Sequence, residues 1–79
     1  MMTEQEWREA FAKRLRKLAY KKGPYTQKQL AELSGISEPT ISHYMNGSRI
    51  PNGNNILRLA RALNCSADAL IMIDEPIYF

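Results

Sequence analysis

Cysteine, histidine and long apolar runs are nearly absent from this chain of 79 residues, which holds one Cys and one His. A lone Cys65 cannot form an internal disulfide, and Cys65 with His43 lacks the clustered ligand spacing of a metal site. No apolar run reaches the roughly 18 residues that span a bilayer, and no signal peptide is recognisable. We therefore expect a soluble, cytoplasmic protein with no metal, no cofactor and no membrane association.

The short length excludes a further class of protein. A chain of 79 residues suffices for one domain with one modest core, and such a core contributes only a few kcal/mol to stability. A multi-step catalytic apparatus does not fit that size, and the sequence contains no linker or internal repeat. Residues 1–79 are therefore predicted to form a single domain that is not an enzyme.

Positive charge is concentrated at one end of the sequence. Residues 1–28 hold eight Lys or Arg against three Glu, whereas residues 62–79 hold three acidic residues and no basic one. A basic run favours a polyanionic partner, and its plainer interpretation is a solvated helix face. Charge alone favours the plainer interpretation.

Capping residues and apolar spacing predict five helices. Helix 1 begins after a capping box at Thr3, runs over about residues 4–22 and stops at Gly23-Pro24. Trp7 is predicted to extend its core stripe, with a partner contact as the alternative. Helix 2 covers about residues 27–34. The same signals place caps or terminators for helices 2 to 5 at Thr26, Gly35, Ser37, Asn46-Gly47, Asn52, Asn64 and Ser66.

The apolar positions of helices 2 to 4 recur at helical spacing and define their predicted buried faces. They are Leu30, Ala31 and Leu33 in helix 2; Ile41, Tyr44 and Met45 in helix 3; and Ile56, Leu57, Leu59, Ala60 and Leu63 in helix 4. Helix 5 contains the apolar residues Ala67, Leu70 and Ile71.

The last eight residues, MIDEPIYF, break the helical pattern at Pro76 and approach alternation, which predicts an extended C-terminal arm. Helix 5 and this segment carry more apolar surface than a small monomer easily hides, so a homodimer seam would explain them. The alternative is that they fold back onto the core. The predicted dimer interface comprises Ala67, Leu70, Ile71, Met72, Ile73, Ile77, Tyr78 and Phe79.

Residues 27–47, QKQLAELSGISEPTISHYMNG, are typical of two short helices joined by one tight turn. Such a helix-turn-helix needs a small residue where its helices approach, a turn residue comfortable at positive φ, and bulky apolar anchors on the second helix. Ala31, Gly35 and Ile41 fill these roles in that order, and Tyr44 adds a second anchor. The motif presents its second helix to the DNA major groove.

With these residues the chain resembles the lambda-repressor-like family, the Cro and repressor type of helix-turn-helix. The resemblance covers roughly residues 11–71 and is carried by FAKRLRKL, TQKQLAELSGIS, ISHYMNG, Pro51 and ILRLARALNCSADALI. It implies an all-α, five-helix domain that binds double-stranded operator DNA, usually as a two-fold symmetric dimer. The run PNGNNILRLARALNCSADAL is particularly similar to temperate-phage repressor domains.

The resemblance also implies a set of DNA contacts. Helix 3 would read base edges, and the starts of helices 2 and 4 with the loop after helix 3 would contact the backbone. The implied base contacts are Glu38, Pro39, Thr40, Ser42 and His43. The implied phosphate contacts are Gln27, Lys28, Ser37, Asn46, Ser48, Arg49, Asn54 and Asn55.

Most of these residues have a plainer interpretation. Glu38 could serve only as a negative charge at a helix N-terminus, Pro39 as a helix starter and His43 as a solvated side chain. Ser37 favours a capping role over base reading, and Asn54 and Asn55 could act as ordinary capping and surface residues.

The chain departs from the family at the core. Family members often pair an Arg in helix 1 with a Glu near the end of helix 3, and here those positions correspond to Ala19 and Met45. Replacing both charges with apolar groups can be neutral or stabilising, so we predict that Ala19 and Met45 touch in the core. Cys65 is predicted to be a small buried hydrophobe, and Gly53 to loosen packing at the start of helix 4.

The sequence thus predicts a sequence-specific DNA-binding transcriptional regulator, a repressor of prophage type that binds a palindromic operator as a dimer. One alternative is an antitoxin or a restriction-modification controller. An alternative of another class is a protein-interaction module that has kept the fold without DNA binding, which the acidic Glu38 would favour. No small-molecule ligand is evident.

Overall fold

The computed structural model describes residues 3–71, and the predicted C-terminal arm lies outside this range. The described residues form α1 (Glu4–Lys22), α2 (Gln27–Ser34), α3 (Glu38–Met45), α4 (Gly53–Ala62) and α5 (Ala67–Ile71). The all-α, five-helix prediction is confirmed, with helix bounds close to those read from the caps. Within residues 3–71, no helix is long and apolar enough to cross a membrane.

Two capping boxes fix the starts of the first two helices. The Thr3 hydroxyl accepts from the Glu6 N–H at 3.1 Å, and the Glu6 carboxylate accepts from the Thr3 N–H at 3.0 Å. Thr26 and Gln29 repeat the arrangement at 3.0 and 2.9 Å. Each cap contributes about 0.5–2 kcal/mol, and the Thr3 backbone N–H holds the pKa of Glu6 below its usual value.

The turn after α1 requires glycine. The backbone N–H groups of Gly23 and Tyr25 both donate to the Ala19 carbonyl, at 3.1 and 3.0 Å, which folds the chain tightly onto itself. A Cβ at position 23 would lie 2.2 Å from the Tyr25 nitrogen, so no larger residue fits without a shift of the backbone.

One apolar core joins all five helices. Helix α1 packs against α3 and α5, while α4 packs against α2 and α5, with α2 also against α3. The Phe11 and Tyr44 rings meet edge to face with centroids 6.3 Å apart. Fully burying one large apolar side chain contributes roughly 1.5–3 kcal/mol. The buried cluster consists of Phe11, Leu15, Ala19, Leu30, Ile36, Ile41, Tyr44, Met45, Leu59, Ala60, Leu63 and Leu70.

Three residues predicted to be in the core are exposed. Leu33 and Leu57 are 54% and 51% exposed, because each lies about 100° around its helix from the buried face. Trp7 is 41% exposed although it lies one turn before Phe11 on the same stripe. Residues 4–7 at the start of α1 are all exposed, and cover from the rest of the described chain begins at Arg8 and Glu9, which lie beside Gly47.

Ala19 and Met45 are both members of the buried cluster, as expected for an apolar replacement of a charged pair. Their direct contact stays a prediction. Cys65 is only half-buried, and burial raises the pKa of its thiol. Gly53 has open space around it, whereas Pro51 is buried, so the start of α4 is anchored by the proline.

Candidate nucleic-acid interface

Helices α2 and α3 are joined by a turn of three residues, Gly35 to Ser37. Gly35 lies in the left-handed region at φ 74°, and its N–H donates to the Ala31 carbonyl at 2.9 Å. Ile36 is 6% exposed, and its N–H donates to the Ser34 hydroxyl at 3.2 Å. The turn predicted at Gly35 is confirmed, while the buried Ser34 that satisfies the turn was not expected.

Ser37 is the cap of the recognition helix α3. Its hydroxyl accepts from the Thr40 N–H at 3.4 Å and donates to the Thr40 hydroxyl at 2.8 Å. The hydroxyl of Thr40 thus accepts from Ser37 and keeps its own proton to donate. Pro39 lies in the first turn, where its missing N–H removes no intrahelical bond.

The polar and apolar residues of α3 separate as the sequence predicts. Ile41, Tyr44 and Met45 are buried. Glu38 and Pro39, at the start of the helix, are exposed. The other three predicted base contacts, Thr40, Ser42 and His43, are half-buried. The first turn is therefore the most accessible part of α3, as in helices that enter the major groove by their N-terminal residues.

His43 has one of its two ring nitrogens buried. Nδ1 is out of contact with solvent and has no hydrogen-bond partner among residues 3–71. An orphaned buried N–H is among the rarest polar groups in proteins, so we assign the proton of the neutral ring to Nε2. In that tautomer the outward nitrogen is a hydrogen-bond donor. It matches an acceptor such as purine N7 or guanine O6 and does not match the cytosine amino group.

The starts of α2 and α4 are electrostatically suited to anions. Neither helix carries an acidic residue in its first turn, whereas α1, α3 and α5 each do. Without such a residue, the positive end of the helix dipole is not neutralised by the chain itself. Gln27 and Lys28 are exposed at the start of α2, and Asn54 is exposed at the start of α4.

The loop after α3 is more internally bonded than the sequence indicates. The Asn46 side-chain oxygen accepts from the Ser48 hydroxyl and from the Ser48 N–H, which also donates to the His43 carbonyl at 2.9 Å. The Ser48 N–H is thus not available to a phosphate. Arg49 is exposed and is the plainest phosphate ligand of the loop.

Asn55 connects the two helices on either side of this loop. Its side-chain Nδ2 donates to the Tyr44 hydroxyl at 2.8 Å, and its backbone N–H donates to the Asn52 side chain at 2.8 Å. One of the two N–H groups of its side-chain amide is therefore used inside the protein. Asn55 therefore acts first as a bridge between α3 and α4, with one N–H left for a phosphate.

The predicted dimer interface needs correction. Leu70 is 0% exposed and belongs to the core of the single chain, so it is not available to a second copy. Ala67 is half-buried, and Ile71 is 38% exposed. The remaining residues of the predicted interface, Met72, Ile73, Ile77, Tyr78 and Phe79, lie outside the described residues.

Four basic side chains have a role that sequence reasoning missed. Each donates to a main-chain carbonyl near the end of a helix, where carbonyls lack intrahelical partners and the dipole favours cations. The pairs are Arg14 to Ala69 at 2.7 Å, Arg16 to Met45, Lys22 to Asn64 at 3.4 Å and Arg58 to Gly35 at 3.3 Å. Their separation in sequence left no signal for these pairs.

This geometry defines a helix-turn-helix DNA-binding domain. It consists of two short helices, a left-handed turn at Gly35 and an exposed start of α3 at Glu38 and Pro39. The sequence profile of the helix-turn-helix family matches residues 13–70. The chain belongs to this family, within its Cro and lambda-repressor type, and carries the helix-turn-helix DNA-binding domain that such transcription regulators share.

Two curated relatives agree with this assignment. Repressor protein C2 of Salmonella phage P22 is 39% identical over 54 residues, which cover 68% of this chain and 25% of that protein. The HTH-type transcriptional regulator ImmR of Bacillus subtilis (strain 168) is 36% identical over 66 residues, which cover 84% of this chain and 51% of that protein. The chain thus spans a quarter and about half of the lengths of these relatives.

Two solved structures share the fold. The restriction-modification controller protein C.AhdI from Aeromonas hydrophila matches with a TM-score of 0.75 at 36% identity, covering 80% of this chain and 94% of that one. The hypothetical transcription factor NHTF from Neisseria matches with a TM-score of 0.80 at 26% identity, and the match covers 94% of this chain and 84% of that one.

Proposed function

We propose that this chain binds a palindromic double-stranded operator as a symmetric dimer and acts as a transcriptional repressor of prophage type. The observation that carries the proposal is the division of α3, whose first two residues, Glu38 and Pro39, are exposed while Ile41, Tyr44 and Met45 are buried. A helix anchored in this way can insert its N-terminal residues into a major groove without losing its hold on the domain.

The surroundings of α3 support a contact with two stretches of DNA backbone. The acid-free starts of α2 and α4 would each take a phosphate, with Gln27 and Lys28 at one and Asn54 at the other, and Arg49 between them in sequence. Base reading falls to Glu38, Pro39, the Thr40 methyl, Ser42 and the Nε2–H of His43. In a dimer, two such helices would enter successive major grooves about 34 Å apart.

The prophage role is favoured by the similarity to a phage repressor protein, C2. A second candidate is a restriction-modification controller, because the chain is 36% identical to the controller protein C.AhdI and shares its fold with a TM-score of 0.75. The two roles predict the same DNA surface and differ in the genes controlled. Deleting the gene and measuring which neighbouring promoter is released would distinguish them.

Selection of bound duplexes from a random DNA pool, followed by mass measurement of the complex, tests the proposal. We expect one enriched palindrome bound by two chains, with affinity falling steeply as salt rises. No enrichment and no salt-dependent binding would overturn it in favour of a protein-interaction module. One chain per duplex would overturn the dimer.

Two substitutions test the site assignments on the selected duplex. Gln27→Ala should weaken binding to all sequences by a similar factor, because a phosphate contact carries no base information. His43→Ala should instead relax the preference at one purine position. Arg61→Ala, an exposed cation in the last turn of α4, is the control and should change neither. Full affinity with Gln27→Ala, or an unchanged base preference with His43→Ala, would refute the respective role.

A further inference from the structure

Two arginines outside the helix-turn-helix hold the C-terminal ends of its two helices. Arg16 of α1 donates to the carbonyl of Met45, the last residue of α3, and Arg58 of α4 donates to the carbonyl of Gly35, the residue that ends α2. We infer that Arg16 and Arg58 are positioning residues that fix the recognition helix on the scaffold and so determine sequence selectivity without touching bases. The inference rests on the operator binding proposed above.

Both arginines donate to carbonyls at the C-terminal end of a helix, where a positive charge stabilises the helix most. The last carbonyls of a helix have no partner within it and carry the negative end of its dipole. A charged donor makes a stronger hydrogen bond to such a group than a neutral donor does. The bonds join residues 29 and 23 positions apart, so each ties a helix end to a different part of the fold.

Helix α3 has particular need of such a tie. It has only eight residues, or about two turns, and the loop that follows it turns back at once through Gly47 at φ 81°. Its apolar anchors, which include Met45 at the last position, hold the buried side of the helix, and the bond from Arg16 adds a polar tie at its last carbonyl. Side chains that read a ligand must be held within roughly 0.5 Å and 10–20° of their productive positions. A looser end would therefore affect base contacts more than backbone contacts.

The competing role for either arginine is direct contact with a phosphate. The two roles differ in what they do to salt dependence and to selectivity. Removing a phosphate contact lowers the slope of log affinity against log salt by about 0.9 and weakens all duplexes alike. Removing a positioning contact leaves the slope unchanged and weakens the selected duplex relative to a scrambled one.

The experiment compares Arg16→Met, Arg16→Lys and Arg58→Met on the selected duplex and on a scrambled duplex of equal length. Lys17→Met and Arg61→Met are matched controls, because each removes one charge from an exposed position of the same two helices. The ratio of the two affinities is insensitive to the folded fraction, since unfolding reduces both alike. This separates positioning from general destabilisation.

We expect the affinity ratio to fall about tenfold in Arg16→Met and about threefold in Arg58→Met, with the salt slope unchanged and the controls like wild type. Arg16→Lys keeps a cationic donor and should retain most of the ratio. If Arg16→Met does not fold, Arg58→Met still tests the inference. An unchanged ratio in the folded variants, with or without a shallower salt slope, would overturn it. A wild-type chain that selects no sequence would overturn the proposed function and this inference with it.

Discussion

The hydrogen bond between Tyr44 and Asn55 offers the sharpest test of how the recognition helix is held. Tyr44 is 4% exposed, and its hydroxyl accepts from the Asn55 side chain at 2.8 Å across the junction of α3 and α4. Tyr44→Phe removes only the hydroxyl oxygen and retains the ring that meets Phe11 edge to face. The substitution therefore isolates one polar contact from the packing around it.

The expected loss of stability follows from the surroundings of the bond. A typical intramolecular hydrogen bond contributes about 1 kcal/mol net, and leaving a buried donor unpaired costs about 1–3 kcal/mol. Asn55 is half-buried, so water can reach part of its amide and the lower figure applies. We expect Tyr44→Phe to lower the free energy of unfolding by about 1 kcal/mol, or the melting temperature by roughly 4–8 °C in a domain of this size.

Urea unfolding followed by circular dichroism, in a double-mutant cycle with Asn55→Ala, measures the contact itself. We expect a coupling energy of about 1 kcal/mol, with the double variant less damaged than the sum of the singles. Tyr20→Phe is the control, since Tyr20 is 77% exposed and should change stability by less than about 0.5 kcal/mol. A stable Tyr44→Phe with no coupling to Asn55 would show that the bond does not hold α3 to α4.

Three further predictions concern the turn, the first cap and the cysteine. A methyl group in Gly35→Ala would have only the Arg58 side chain near it, at 3.4 Å, but the backbone at this position has φ 74°, which strains any residue other than glycine. We therefore expect the substitution to lower the free energy of unfolding by about 1–2 kcal/mol, as measured by thermal unfolding. An unchanged free energy of unfolding would contradict this explanation. The Thr3 N–H lowers the pKa of Glu6, so its contribution is present above the ordinary pKa of 4.5 and lost as pH falls through the folded value. Glu6→Gln should flatten that acid limb of a pH–stability curve, and an unchanged limb would argue against it. Burial raises the pKa of Cys65, so iodoacetamide at pH 8 should alkylate the folded chain more slowly than the urea-unfolded chain; equal rates would refute this.

The helix bounds were predictable because the caps are local. Thr3, Thr26, Ser37 and Asn52 each accept from the N–H three residues later, and that spacing is visible in the sequence. The buried and exposed sides of α3 were predictable for the same reason, since helical period alone separates them. Local signals of this kind reach across about one turn of helix.

The errors came from quantities that are not local. Spacing places Trp7 on the stripe of Phe11 but does not tell that the first turn of α1 is exposed. The width of a buried face depends on neighbouring helices, so Leu33 and Leu57 passed as core residues although they lie beside it. Leu70 was assigned to a dimer interface because the sequence does not distinguish an apolar residue buried by its own chain from one buried by a second copy.

The basic first third of the chain shows how far charge counting can be taken. Among its cations, Arg8 pairs with Glu4 at 3.1 Å, and three others donate to main-chain carbonyls, so their charge serves the fold. Long-range attraction of DNA depends on all of these charges, whether or not they are hydrogen-bonded. Counterion release depends only on the cations that meet phosphates, at about 0.9 in the salt slope for each. The salt slope of DNA binding should therefore be much smaller than it would be if all eight basic residues in 1–28 met phosphates. A slope near that larger value would mean that DNA displaces the contacts between these side chains and the main-chain carbonyls. Of the exposed cations in this segment, only Lys28 lies at a proposed phosphate contact, the start of α2.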